Sequence, residues 1–66
     1  MEAKDFSAWI QHMGFSDSEV ARKLELSRNT VAKYKAEGAP AHIGLACAAL
    51  AFGLPGWRQV EGVEKA

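Results

Sequence analysis

One cysteine, two prolines, no net charge and no long apolar run are what mark this 66-residue chain by their scarcity. A single thiol, Cys47, cannot close an internal disulfide, and no apolar leader precedes the first charged residues. An intracellular, cytoplasmic protein is therefore expected, with Cys47 an ordinary buried thiol. The longest apolar stretch, from Ile43 to Leu54, is interrupted by glycine and falls well short of the roughly 20 residues that span a bilayer, so no membrane association is expected. Histidine is equally sparse: His12 and His42 stand thirty residues apart with no carboxylate or thiol at ligand spacing, which argues against a metal site. No Ser/His/Asp grouping, glycine-rich phosphate loop or paired carboxylate suggests catalysis, so neither an enzyme nor a cofactor is expected. Prolines are confined to positions 40 and 55, leaving the first thirty-nine residues free to form helices.

What is present fits a small helical domain. Hydrophobic residues make up 48% of the chain, enough for a core, yet a chain of this length buries only about 60% of its unfolded surface and has no room for a second one. Helix formers dominate, and Val, Ile and Thr are scattered singly without the alternation a sheet requires. The expected class is all-α, four to five helices in one compact unit over residues 1–54, followed by a tail over 55–66.

Local signals place the helices. Asp5 is a competent N-cap for a first helix to Met13, with Phe6, Trp9, Ile10 and Met13 at helical spacing and Gly14 ending it. Ser16-Asp17-Ser18-Glu19 fits a capping box, bracketed by Phe15 and Val20 as a hydrophobic staple, and Val20, Ala21 and Leu24 form the inward side of a short second helix. Ser27 is another N-cap, with Leu26 and Val31 at staple spacing, so the second helix must stop within a tight turn. A third helix runs from Arg28 to about Glu37, with Val31 and Tyr34 inward, Arg28, Asn29, Ala32, Lys33 and Lys35 outward, and Gly38 as C-cap. Pro40 suits the first turn of a fourth helix to Phe52, closed by Gly53 and Pro55. Ile43, Leu45, Leu50 and Phe52 share that helix with glycine, cysteine and alanines. A helix with no polar side must be enclosed or covered by a partner. The stretch with Trp57, Val60 and Val63 reads as a weak short helix or an extended arm.

Zero net charge by itself speaks against nucleic-acid binding, because phosphate contacts need a positive field. Distribution reverses that. Five of the eight basic residues (Arg22, Lys23, Arg28, Lys33, Lys35) fall between positions 22 and 35, where Glu25 is the only acid. They coincide with a short helix, a small residue at the crossing (Ala21), a tight turn, and a second helix with one buried and one polar side, the requirements of a helix-turn-helix.

Asp17 through Lys35, and the run EVARKLELSRNTVAKYKAEG in particular, resembles the Cro/CI-type helix-turn-helix family of phage and bacterial repressors, over roughly residues 6 to 54. Small regulators of anti-CRISPR operons and DNA-binding antitoxins belong to the same broad class. The family usually has glycine in the turn where this chain has Glu25, so that residue must tolerate a left-handed backbone or the turn must be shaped differently. It often has glutamine early in the second helix as a phosphate anchor, where this chain has Asp17 and Ser18. The resemblance implies a lambda-repressor-like fold with the third helix in the major groove. Arg28 then suits a guanine edge, Asn29 an adenine edge, Ala32 a thymine methyl, and Lys33 a guanine or a phosphate. Ser18, Arg22, Lys23, Ser27 and Lys35 suit the backbone, joined by His42 and the amides that open the fourth helix.

The expected function is that of a dimeric operator-binding repressor or autoregulator. Its partners would be approximately palindromic double-stranded DNA and a second copy held through Leu45, Ala48, Phe52 and Trp57, with no small-molecule ligand and control by protein concentration and competition at the operator. Two alternatives compete with it. An excisionase-like architectural protein would bend DNA strongly with weaker base discrimination. A helical protein-interaction module would dock a partner on the fourth helix and show no salt-sensitive DNA binding.

Overall fold

The structure, a computed structural model, describes residues 1–57, and the reading of Val60 and Val63 lies outside the described residues. Four helices follow one another: α1 (Ala3–Met13), α2 (Asp17–Leu24), α3 (Arg28–Glu37) and α4 (Ala41–Ala51), with no strand among the described residues. The all-α expectation holds, as do the bounds of α3. Among the described residues, no helix is long and apolar enough to cross a membrane.

The first helix starts earlier than its sequence suggests. Glu2, in extended backbone, is the N-cap and offers no side-chain cap bond; Asp5 lies within the first turn instead. The amides of Asp5 and Phe6 both donate to the Glu2 carbonyl at 3.0 Å, so the backbone itself closes the turn that an Asp5 cap would have left open. The acid still lies near the positive end of the helix dipole. At the other end Gly14 takes a left-handed conformation, its amide bonded to the Gln11 carbonyl at 3.1 Å.

The caps of α2 and α3 form as the sequence predicts. Ser16 Oγ accepts from the Glu19 amide at 3.1 Å and Glu19 Oε1 accepts from the Ser16 amide at 2.8 Å, completing the capping box. Ser27 Oγ accepts from the Thr30 amide at 3.1 Å. Each such cap contributes on the order of 1 kcal/mol to a domain whose whole stability is about 5–15 kcal/mol. Helix α4 is displaced by one residue at both ends: Pro40 is its extended N-cap rather than part of its first turn, and Phe52 rather than Gly53 is its C-cap. The reason at the first end is that Pro40 has ψ 162°, outside the helical region, although its φ of −62° suits a helix.

The core is drawn from all four helices. Phe6, Trp9 and Ile10 of α1, Val20 and Ala21 of α2, Val31 of α3, and Ile43 and Cys47 of α4 are buried together. Helix α1 is the central element, packing on both α3 and α4, while α2 packs on α3. Phe6 is fully enclosed, with its ring edge-on to Tyr34 at 5.8 Å between centroids and stacked on Trp9 at 6.0 Å. The indole Nε1 of Trp9 donates to the Cys47 carbonyl at 2.9 Å, which satisfies the one polar atom of that ring and ties α1 to α4. Cys47 is buried as expected, and burial pushes its thiol up to about 11.

Helix α4 is only half enclosed. Ile43 and Cys47 face the core and Leu50 packs against it, while Leu45, Ala48 and Phe52 are exposed. Leu54 and Trp57, just past the end of the helix, are exposed as well.

Candidate nucleic-acid interface

Helix α3 is short, and its single buried stripe decides where every other side chain points. Val31 is fully buried and Tyr34 packs on the core edge, which leaves the side of α3 turned away from them facing outward. Arg28 and Ala32 form one row at i, i+4; Asn29 and Lys33 form the adjacent row. All four are exposed. Among the described residues, no side chain of these four takes part in a hydrogen bond or an ion pair. Their donors and acceptors therefore face solvent, on a helix whose own backbone is fixed by a cap and a buried stripe.

The first turn of α3 is additionally stiffened. Ser27 Oγ accepts the Thr30 amide and lies 2.8 Å from Thr30 Oγ1, so the serine hydroxyl expected at a phosphate is already engaged in holding the helix start. That cap carries no acid in the first turn of α3, which leaves its positive dipole end open to an incoming anion.

The turn before it contains Glu25 at φ 55° and ψ 46°, the left-handed conformation expected of it. Its amide donates to the Arg22 carbonyl at 3.3 Å and the Leu26 amide to the Ala21 carbonyl at 2.8 Å, the bond pattern that glycine usually provides at a helix end. Leu26 is thereby returned to the core edge and Ser27 is delivered to cap α3. This turn sets the relative placement of the two basic groups, Arg22 and Lys23 at the end of α2, and Arg28 and Lys33 on α3. All four are exposed. Lys23 Nζ stands 5.9 Å from the Phe15 ring centroid, close enough for the ring face to hold it.

At the start of α2 the acids are accounted for differently. Glu19 is consumed by the capping box, and its hydrogen bonds from Ser16 hold its carboxyl below the usual range. Asp17 meets Lys35, whose Nζ lies 3.1 Å and 3.2 Å from its two carboxylate oxygens. Lys35, expected on the outward basic side, is exposed, and its position beside the buried stripe lets its amine reach across to α2. No spacing rule could have found this pair, because its members are eighteen residues apart on different helices. Ser18 is exposed beside Asp17, and His42 is exposed in the first turn of α4.

Beside the pair lies an open depression of about 390 Å³ lined by Ser7, Ile10, Gln11, Phe15, Asp17 and Lys35. Its walls combine one ion pair with apolar and amide side chains. Among the described residues, no group of three or more His, Cys, Asp or Glu is placed to hold a metal ion. No known protein family, curated protein or solved structure matches this chain.

Proposed function

We propose that this chain is a sequence-specific DNA-binding transcriptional regulator of the Cro-like helix-turn-helix kind, acting as a homodimer on an approximately palindromic operator. The observation that carries this reading is the outward side of α3, where Arg28, Asn29, Ala32 and Lys33 are exposed with no hydrogen-bond or ion-pair partner among the described residues, on a rigidly capped helix. A solvated surface helix needs no such composition: its charges ordinarily pair at i, i+4, whereas α3 sets Arg28 opposite Ala32 and Asn29 opposite Lys33. Arginine and asparagine are the side chains whose paired donors and acceptors match guanine and adenine in the major groove, and alanine leaves room for a thymine methyl. Arg22 and Lys23, one turn of chain away, would lie toward the phosphates.

Dimerisation is supported by the uncovered apolar surface. Leu45, Phe52, Leu54 and Trp57 are more than half exposed, and no Asp, Glu, Lys or Arg occurs between Glu37 and Arg58. These four side chains offer on the order of 500 Å² of surface per copy, so a two-fold pairing over them would bury about 1,000 Å², near the lower bound for specific interfaces. A face without charge suits a second identical face better than it suits DNA, and two copies would present two α3 helices to half-sites about one turn apart. The same surface is the one observation favouring a helical interaction module instead.

Selection from random duplex DNA, followed by binding measured against salt, decides between them. The expected result is a two-fold-related consensus with a steep salt dependence. Arg28→Ala should erase preference at one position per half-site, a discrimination of about 1–3 kcal/mol, while leaving the salt slope nearly as it was. A consensus unchanged by Arg28→Ala would remove α3 from the reading role, and the absence of any salt-sensitive binding would favour the interaction module.

A further inference from the structure

The helix proposed to read DNA and the helix proposed to pair the two copies do not rest extensively on each other. The pairs that pack extensively are α1 with α3, α2 with α3, and α1 with α4. Between α3 and α4 the chain passes through Gly38, Ala39 and Pro40, a linker with a positive-φ glycine (φ 98°) and an extended Pro40. A three-residue linker of this kind, by itself, would allow α4 to swing relative to α3.

Ile43, Cys47 and the Trp9 bond hold α4 to the core, and Met1 holds the linker itself. Its amine donates to the Ala39 carbonyl at 2.9 Å and its carbonyl accepts from the Ala39 amide at 2.8 Å, a reciprocal pair of bonds like one rung of an antiparallel ladder. The side chain of Met1 packs on the core edge and against α4 at Gly44, where an added Cβ would sit 3.5 Å from Met1 Cβ and 4.0 Å from its sulfur. At Gly38 an added Cβ would fall 2.9 Å from the Met1 carbonyl oxygen. Glycine at 38 is thus required twice, by its backbone conformation and by the close passage of Met1.

From this juxtaposition we infer that Met1 is a positioning residue, a strap that fixes the angle between α3 and α4 and so sets the half-site spacing the dimer accepts. The inference rests on the DNA-binding reading. Its mechanism is geometric: Met1 touches the last residues after α3 and the first turns of α4 at once, and α1, which begins two residues later, carries the strap on the same rigid element that packs on both. Loss of the strap leaves the core side chains of α1 to α3 in place and frees the linker.

The test compares three chains released from a cleavable fusion: the wild type, a chain beginning at Glu2, and Met1→Leu, which keeps both backbone bonds and an apolar side chain. Hydrogen exchange at the Ala39 amide reports the strap without DNA. Selection against paired half-sites of varied separation reports its consequence. The chain lacking Met1 should lose at least tenfold in Ala39 protection, keep the protection of the amides in the core of α1, and accept several half-site separations where the wild type accepts one; Met1→Leu should restore the wild-type choice. Gly38→Ala, which collides with the Met1 carbonyl, should reproduce the loss. If the wild type selects a site and the chain lacking Met1 selects the same site at the same separation and within twofold in affinity, the positioning role is wrong while the DNA reading stands. A wild type that selects no site overturns the DNA reading and the positioning role together.

Discussion

Lys35 reaches from the side of α3 to grip both carboxylate oxygens of Asp17 at the start of α2, at 3.1 and 3.2 Å. Both side chains remain close to two-fifths exposed, so the pair is a surface tie of at most about 1 kcal/mol and not a pillar of the fold. Its larger consequence is electrostatic, since it cancels one positive charge of the proposed DNA-binding face with the acid best placed to repel phosphate.

Asp17→Asn should therefore raise DNA affinity for all sequences alike, by releasing Lys35 to the backbone and steepening the salt slope by about 0.9, the increment of one more phosphate contact. Lys35→Ala should weaken all sequences alike, by leaving Asp17 uncompensated. Binding isotherms over a range of salt for both variants check this, and base preference should move in neither. A change of consensus in Asp17→Asn would show that Lys35 reaches the bases.

Glu25 stands alone among the non-glycine residues described in having positive φ. For an L-residue that conformation costs roughly 1–2 kcal/mol, and glycine relieves it while losing about 0.5–1 kcal/mol through the greater freedom of the unfolded chain. Glu25→Gly should thus raise the melting temperature slightly or leave it unchanged. It also removes the only acid between Arg22 and Lys35, so affinity for DNA at low salt should rise. Thermal unfolding and a binding titration settle both halves, and a stability loss above about 1 kcal/mol would mean that the Glu25 side chain makes a contact the fold needs.

The left-handed turn was signalled only through the resemblance, in which Glu25 stands where glycine is usual, and a differently shaped turn was the other outcome it allowed. The two cap motifs were legible directly, since serine, a fixed three-residue interval and a flanking staple are local signals. The ends of α1 and α4 were less so, since Glu2 and Pro40 cap through extended backbone and offer no side-chain signature. What escaped sequence reasoning altogether are pairings set by tertiary placement. Lys35 finds Asp17, and Met1 finds Ala39, only once α1 has packed α3 and α4 around it. The exposed apolar surface lay between these extremes, because a helix without a polar side predicts a cover but not which half of it the domain itself supplies.

Acid should loosen the start of α2 through Glu19. Its folded pKa is lowered from 4.5 by the hydrogen bonds at Ser16, so the stabilisation it contributes is present in full above the unfolded value and is lost as pH falls through the folded one. Stability measured from neutral pH downward should be flat to about pH 5 and then decline. Glu19→Gln keeps the capping geometry and removes the titration, and it should flatten that part of the decline. An acid limb identical in the variant would assign the decline to other carboxyls.

The exposed surface at the end of α4 leads to the prediction that reaches furthest into function. Phe52 is 82% exposed, Leu45 73% and Trp57 68%, values that a solitary domain tolerates for one side chain but seldom for three together. Ala48 is exposed on the same helix, one turn from both Leu45 and Phe52, where its small side chain would let a second helix approach closely. Ala48→Glu introduces a charge there without touching Ile43 or Cys47, which hold α4 to the core. Helical circular dichroism should be unchanged, whereas sedimentation should show self-association weakened by tenfold or more and operator affinity reduced in step, because each monomer then contributes one half-site alone. Trp57→Ser should act in the same direction through lost apolar area, with the Trp9 fluorescence of the core undisturbed. A wild type that sediments as a monomer both free and bound to a single half-site would assign this surface to a different partner and leave α3 to read DNA without two-fold symmetry.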